Sequence, residues 1–256
     1  MAKFQSYVIC TSPRSGSTLL CNMLAATGVA GKPKSYFHQG PITDWLSYLN
    51  LDINPSLPES DLLAAIFKAA VEKGRNGTGL FGLRLQRHSF DLFVEKLAVL
   101  YPTLASDRQR IEAAFGDTLF IHLTRLDKVQ QAVSYVKAQQ TGLWHRAPDG
   151  TELERLSAPR DPIYDAAKIH ASYDEFIQYD RAWQSWFDMQ DIQPLRITYE
   201  ALCADPIGSL KDVLVQLRVN GEAASSVVPG TAKLADGINQ SWETRFRTEY
   251  LHSDPL

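Results

Sequence analysis

The segment Thr11-Ser12-Pro13-Arg14-Ser15-Gly16-Ser17-Thr18 directly follows the apolar run Tyr7-Val8-Ile9-Cys10. That order predicts a strand, a tight loop and the start of a helix. Such a loop can hold a phosphate. Gly16 lets the backbone approach closely, and the N–H groups of Ser15, Gly16, Ser17 and Thr18 can point at an anion on the helix N-terminus. A nucleoside-triphosphate loop needs Gly-Lys-Ser/Thr, its Lys reaching the β- and γ-phosphates. Here Ser17 follows Gly16, and the positive charge comes from Arg14, two residues before the glycine. These residues point to a phosphate-containing donor other than a nucleoside triphosphate. A polar turn without a ligand is the alternative.

A second set lies at residues 118–142. Thr118-Leu-Phe-Ile-His-Leu-Thr124 has the pattern of a buried strand, with Arg125 at its end. Asp127 is placed as a helix N-cap with Gln130 three residues on, a variant of the capping box. The helix carries Val129, Ala132, Val133 and Val136, runs to about Gln140, and Gly142 can stop it. Ser134 lies inside it. A guanidinium at a strand end and a hydroxyl on the next helix can converge on one phosphate. Taken alone, an ordinary ion pair for Arg125 and a solvated Ser134 explain the residues as well.

Together the two sets resemble the sulfotransferases that use 3′-phosphoadenosine 5′-phosphosulfate (PAPS). Arg196-Ile197-Thr198-Tyr199-Glu200-Ala201-Leu202, followed by Asp205-Pro206, is similar to the Tyr-Glu-x-Leu element of that superfamily. Within it the chain resembles the bacterial trehalose 2-sulfotransferase group. The likeness rests on residues 12–20 and 27–33, on His122-Leu123-Thr124-Arg125 and Gln131-Ala132-Val133-Ser134-Tyr135, and on Trp242 with Arg245. It implies a P-loop-like three-layer α/β fold with a mostly parallel central sheet. The 5′-phosphosulfate would lie on Arg14, Ser15, Gly16, Ser17 and Thr18, and the 3′-phosphate on Arg125 and Ser134. Arg245 would join the donor-binding set. The product would be adenosine 3′,5′-bisphosphate, and the acceptor a hydroxyl on a carbohydrate or glycolipid. No metal is implied.

One position departs from the group. Its members carry Gly-x-Pro-x-Glu-[Phe/Tyr]-Phe after the first helix, the Glu being the proposed base. This chain reads Gly31-Lys32-Pro33-Lys34-Ser35-Tyr36-Phe37-His38. A Ser hydroxyl is no general base without an activator of its own. So the base has moved, the acceptor differs, or the chain binds without turning over. His38, three residues on, is one replacement, since imidazole titrates near neutrality; His88 is the next. Arg84, at another strand end, could approach the sulfuryl oxygens. Trp45 is a candidate sugar platform. A P-loop small-molecule kinase is a second enzyme class, opposed by the missing Gly-Lys pair. A non-catalytic binder of PAPS or its bisphosphate is a third.

These residues need a scaffold. The 256 residues fit one α/β domain, 1–256. The hydrophobic fraction of 45% and charged fraction of 21% are globular values. A net charge of −3 gives no basic field for nucleic acid or an anionic membrane. No run approaches a membrane span. Cys10, Cys21 and Cys203 form no metal-ligand spacing and no disulfide framework, which favours a reducing compartment. The N-terminus lacks an apolar signal core, so the expected location is the cytoplasm. A homodimer stays open.

Strands are expected at 7–10, 79–85, 118–124 and 194–199. Helices are expected at 17–26, 44–51, 59–73, 89–100, 107–115, 127–141, 165–189 and 208–218. Their alternation implies a parallel sheet with helices on both faces, and ligands bind at the carboxyl ends of such strands. Residues 143–163 read as a long loop, either a lid or a plain surface excursion. Tyr173, Phe176, Ile177, Asp180, Trp183 and Phe187 recur at helical spacing, as a core stripe does. His122 alternates with apolar strand residues, which marks it as structural.

Overall fold

The computed structural model describes residues 4–38, 40–54, 56–230 and 234–251.

The central sheet contains β1 (Ser6–Thr11), β2 (Phe81–Gln86), β3 (Thr118–Thr124) and β6 (Leu195–Thr198). Their order is β2-β1-β3-β6, and every pairing is parallel. Parallel sheets are covered on both faces, so their strands must be apolar almost throughout. β1 shows this most clearly, with all six residues buried. Side chains alternate between faces along a strand. Val8 and Cys10 therefore enter one core, Tyr7 and Ile9 the other.

The first core is covered by α2 (Ile42–Leu49), α3 (Glu59–Arg75), α4 (Arg87–Leu100), α5 (Asp107–Phe115) and the end of α7 (Ala166–Met189). Phe93 stands at its centre, fully buried among Phe37, Phe67 and Phe115. Truncating such a residue to Ala costs about 3–5 kcal/mol. The second core lies beneath α1 (Ser17–Ala26), α9 (Pro206–Gln216) and a 3₁₀ turn at Gly221–Ser226. A third cluster joins α6 (Lys128–Thr141), α7 and α10 (Gly237–Phe246). The result is a helix–sheet–helix α/β fold with the loops after β1, β2, β3 and β6 at one edge.

The stripe on α7 is core: Phe176, Trp183 and Phe187 are fully buried, and Trp183 Nε1 donates to the Thr11 carbonyl at 2.9 Å. Trp45 is core as well. It is almost fully buried and donates from Nε1 to the His38 carbonyl, so it offers no face to a sugar.

Residues 143–163 are not one open loop. β4 (Leu143–Arg146) pairs antiparallel with β5 (Glu152–Arg155). Pro148-Asp149-Gly150 forms the turn, with Gly150 at φ +91° and Ala147 N–H donating to the Thr151 carbonyl. Pro-Asp-Gly between two short runs favours that geometry. Beyond α9 the sequence reading placed no element, yet α10 forms. Asp236 caps it, accepting from the Ile238 and Asn239 N–H groups, and the Asn239 side chain accepts from the Asp236 N–H to close a capping box.

Candidate active site

Gly16 sits at the N-cap of α1 with φ +86° and supplies no capping side chain. The first-turn N–H groups of α1 thus face outward with no side-chain acceptor at the cap, as an anion site requires. Arg14, two residues earlier, holds φ +61°. A left-handed backbone costs a non-glycine residue about 1–2 kcal/mol, and such strain collects at functional sites.

Several long-range bonds hold this loop. Thr11 Oγ1 donates to the Leu123 carbonyl at 2.7 Å, and Ser15 Oγ lies 2.5 Å from Thr11 Oγ1. Ser15 is fully buried, so its side chain braces the loop from beneath. Gln131 of α6 donates from Nε2 to Ser12 Oγ at 2.9 Å and to the Pro13 carbonyl at 2.6 Å. Arg14 Nε donates to Ser134 Oγ at 3.0 Å, and its Nη1 to the Trp144 carbonyl at 2.7 Å. The loop after β1, helix α6 and the β4 strand therefore meet on one guanidinium.

Arg125 is buried at the end of β3, its guanidinium 4.3 Å from the ring centre of Tyr199. Its Nη2 donates to Gln130 Oε1 at 2.9 Å, while its buried Nε has no partner among the described residues. The capping box expected at Asp127 forms only by half. Asp127 does cap α6, accepting from the Gln130 N–H, but the Gln130 side chain turns to Arg125. α8 (Tyr199–Ala204) explains the Tyr-Glu pair. Tyr199 packs under Arg125 and against Gly16, and Glu200 accepts from the Leu126 N–H at 3.1 Å.

Arg84, in β2, completes the set. Its Nε donates to Ser35 Oγ at 2.9 Å and its Nη1 to Thr18 Oγ1 at 3.0 Å. Ser35 reaches Arg84 because residues 32–34 run beside β2, the Arg84 N–H donating to the Lys34 carbonyl. Arg14, Arg84 and Arg125 thus converge on one cavity of about 390 Å³, with Gly16, Ser17, Thr18, Ser134 and Tyr199 in its wall. Their hydrogen bonds go to neutral oxygens, leaving their charge for a ligand. Burial, followed by the nearby Arg125 charge, pulls Arg14 down to about 10, still fully protonated at neutral pH. An anion set between these groups would offset that desolvation. Burial pushes the Tyr199 phenol up to about 12.

Not every expected residue arrives. His38 is absent from the cavity wall; its carbonyl serves Trp45 and its ring packs edge-on against Tyr48. Arg245 points elsewhere, pairing with Glu249 at 2.7 Å and lying 4.0 Å from the Tyr164 ring centre. Its helix turns the side chain away from the loops; Arg247, two residues on, is the one that reaches the α6 cap at Asp127. His88 does line the cavity, and burial lowers its pKa. His122 is structural: it is buried, its Nδ1 faces Arg196 at 3.2 Å, and burial lowers it to about 4.

Residues 143–163 also bring His145 and Glu154, which the motifs do not single out. Both line the cavity from the hairpin. His145 Nε2 lies 3.0 Å from Thr18 Oγ1 and 3.4 Å from Glu154 Oε2. Among the described residues no group of three His, Cys, Asp or Glu side chains could hold a metal ion. None of their helices is long and apolar enough to cross a membrane.

Three arginines and an uncapped helix start are gathered at the carboxyl edge of a parallel sheet. The chain belongs to the Stf0 sulphotransferase family, whose model matches residues 6–249. It is 27% identical over 261 residues to a trehalose 2-sulfotransferase of Mycobacterium tuberculosis, covering 95% of this chain and 94% of that protein. It is 29% identical over 262 residues to a trehalose 2-sulfotransferase of Mycolicibacterium smegmatis, covering 95% of each. Among solved structures, the sulfotransferase domain of the Synechococcus PCC 7002 olefin synthase aligns with a TM-score of 0.47 at 18% identity, over 98% of this chain and 88% of that one. A sulfotransferase from Alicyclobacillus acidocaldarius aligns with a TM-score of 0.41 at 13% identity, over 100% and 98%.

Proposed function

We propose that this protein, as a single domain, moves a sulfuryl group from PAPS to a hydroxyl of a carbohydrate or glycolipid. The observation that carries the reading is the convergence of Arg14, Arg84 and Arg125 on a Lys-free phosphate loop. The relatives named trehalose 2-sulfotransferase make trehalose the first acceptor to try. Three free cysteines, Cys10, Cys21 and Cys203, favour a reducing compartment, so we place the protein in the cytoplasm.

Sulfuryl transfer, like phosphoryl transfer, calls for in-line attack and stabilised equatorial and leaving oxygens. Arg14 and the N–H groups from Ser15 to Thr18 hold the leaving 5′-phosphate and offset its growing charge. Arg84 and Thr18, already bonded to each other, face the transferring group. Arg125 and Ser134 hold the 3′-phosphate, and Tyr199 fixes the plane of Arg125. A second chamber of about 340 Å³ shares Arg14 and Ser134 with the first, so two substrates have adjoining room.

A non-catalytic binder of PAPS or its bisphosphate is the second reading, favoured by Ser35. That hydroxyl supports Arg84 and offers no carboxylate. Calorimetry with adenosine 3′,5′-bisphosphate and with ATP tests the donor. Tight binding of the bisphosphate over ATP is expected. Tight ATP binding with no response to the bisphosphate would overturn the donor assignment.

A further inference from the structure

We infer that His145, on the β4–β5 hairpin beside Glu154, is the general base for the acceptor hydroxyl, reached through Thr18. The inference rests on the sulfuryl-transfer reading. In this family the base position falls at Ser35, which here is occupied by holding Arg84. Arg84 passes the connection on: it donates to Thr18 Oγ1, which leaves the Thr18 proton free to point at His145 Nε2. Nε2 is then the lone-pair nitrogen, the state a base requires. The hairpin holds it there, because the Trp144 carbonyl next to it is fastened by Arg14 Nη1.

The proton balance is simple. A bond forms between the acceptor oxygen and sulfur as the bond from sulfur to the 5′-phosphate oxygen breaks. The bonding pair leaves with that phosphate. The acceptor proton passes to Thr18 Oγ1 as the Thr18 proton passes to Nε2, and the resulting imidazolium faces the Glu154 carboxylate at 3.4 Å. Glu154 faces that nitrogen, so its carboxylate offsets the charge that appears there once the proton has arrived.

The surroundings of His145 hold this base in check. Burial, then Arg14 from the loop and Arg84 from β2, lower His145 to about 4. Glu154, from β5, faces the same ring at 3.4 Å. His88 from α4, Arg125, Tyr135 from α6, and Tyr199 and Cys203 from α8 complete the titratable lining of the cavity. An anionic donor between Arg14 and Arg84 offsets the two cations, so the proton affinity of Nε2 rises toward the ordinary histidine value of about 6.5. The base gains strength only when the donor is in place.

The test is an NMR titration of the histidine imidazoles in the parent protein, with and without adenosine 3′,5′-bisphosphate. The His145 midpoint should rise by about one pH unit or more when the bisphosphate binds. His145→Gln should lower turnover by ~10²–10⁴-fold. It should also keep bisphosphate affinity at pH 7.5 within about threefold, since the base acts in the transition state rather than in binding. Glu154→Gln should shift the acidic limb of the rate profile downward, a change that loss of hairpin structure would not mimic. Bisphosphate binding with an unmoved His145 midpoint, or His145→Gln turnover within tenfold of the parent, overturns the assignment of the base alone. No bisphosphate binding by the parent overturns the donor reading, and this inference with it.

Discussion

Arg14 Nε donates to Ser134 Oγ across 3.0 Å, although 120 residues separate them. The contact joins the loop after β1 to the helix after β3. It brings two motifs that are weak when taken singly to one cavity.

The strand–helix unit that carries Arg125 and Ser134 can be tested through binding. Arg125→Ala should weaken adenosine 3′,5′-bisphosphate binding by about 1.5–3 kcal/mol, the usual cost of a lost hydrogen bond to a charged group. Ser134→Ala should weaken it less, because Arg14 keeps its bond to the Trp144 carbonyl. Calorimetry on the two variants decides. Parent-like affinity in both would remove this strand–helix unit from the donor site.

Gly16→Ala should abolish donor binding while leaving most of the fold intact. An added Cβ would stand 2.7 Å from Tyr199 Cδ2, at a φ of +86° that side chains avoid. The loop would have to move off Tyr199, and Tyr199 carries Arg125. Bisphosphate calorimetry beside a melting curve separates the two effects. Unchanged affinity in the variant would show that the loop backbone does not contact the donor.

Ser35→Ala should lower turnover by less than about tenfold, because it removes a support of Arg84 rather than a proton acceptor. Arg84→Ala should cost ~10²–10³-fold, the range seen when one donor to developing charge is lost. Steady-state rates with saturating donor measure both. A collapse with Ser35→Ala and none with Arg84→Ala would reverse these assignments.

The outline of the fold was legible where apolar runs are long and their ends carry caps. β1, α1, β3 and α6 follow from Tyr7-Val8-Ile9-Cys10, from Gly16, from residues 118–124 and from Asp127. The hairpin was not, because its strands are four residues each and half exposed, with register shifts near His145. Pro148-Asp149-Gly150 was the available signal. The placing of Glu154 opposite His145 depends on that register and could not be read along the chain. His38 and Arg245 lie away from the cavity for a related reason: proximity in sequence to a motif does not fix which way a side chain turns. Arg84 was legible because strand ends in a parallel sheet face the ligand edge.

His122 and His145 also make stability depend on pH. Each is lowered to about 4, mainly by burial. An unfolded chain takes up these protons near pH 6.5, whereas the fold resists them until about pH 4. Stability is therefore full above about pH 6.5 and falls as pH drops toward 4, by about 3 kcal/mol for buried His122. Urea melts of the parent and His122→Gln across this window provide the check. Equal acid sensitivity in both would show that His122 is not the group responsible.

The central claim is sulfuryl transfer from PAPS, and the direct measurement is turnover with sulfur-labelled PAPS over a panel of sugars and glycolipids, trehalose included. We expect label in a carbohydrate product with release of one adenosine 3′,5′-bisphosphate per transfer. Label that stays in PAPS with every carbohydrate, or that moves only to a phenol or a steroid, would contradict it.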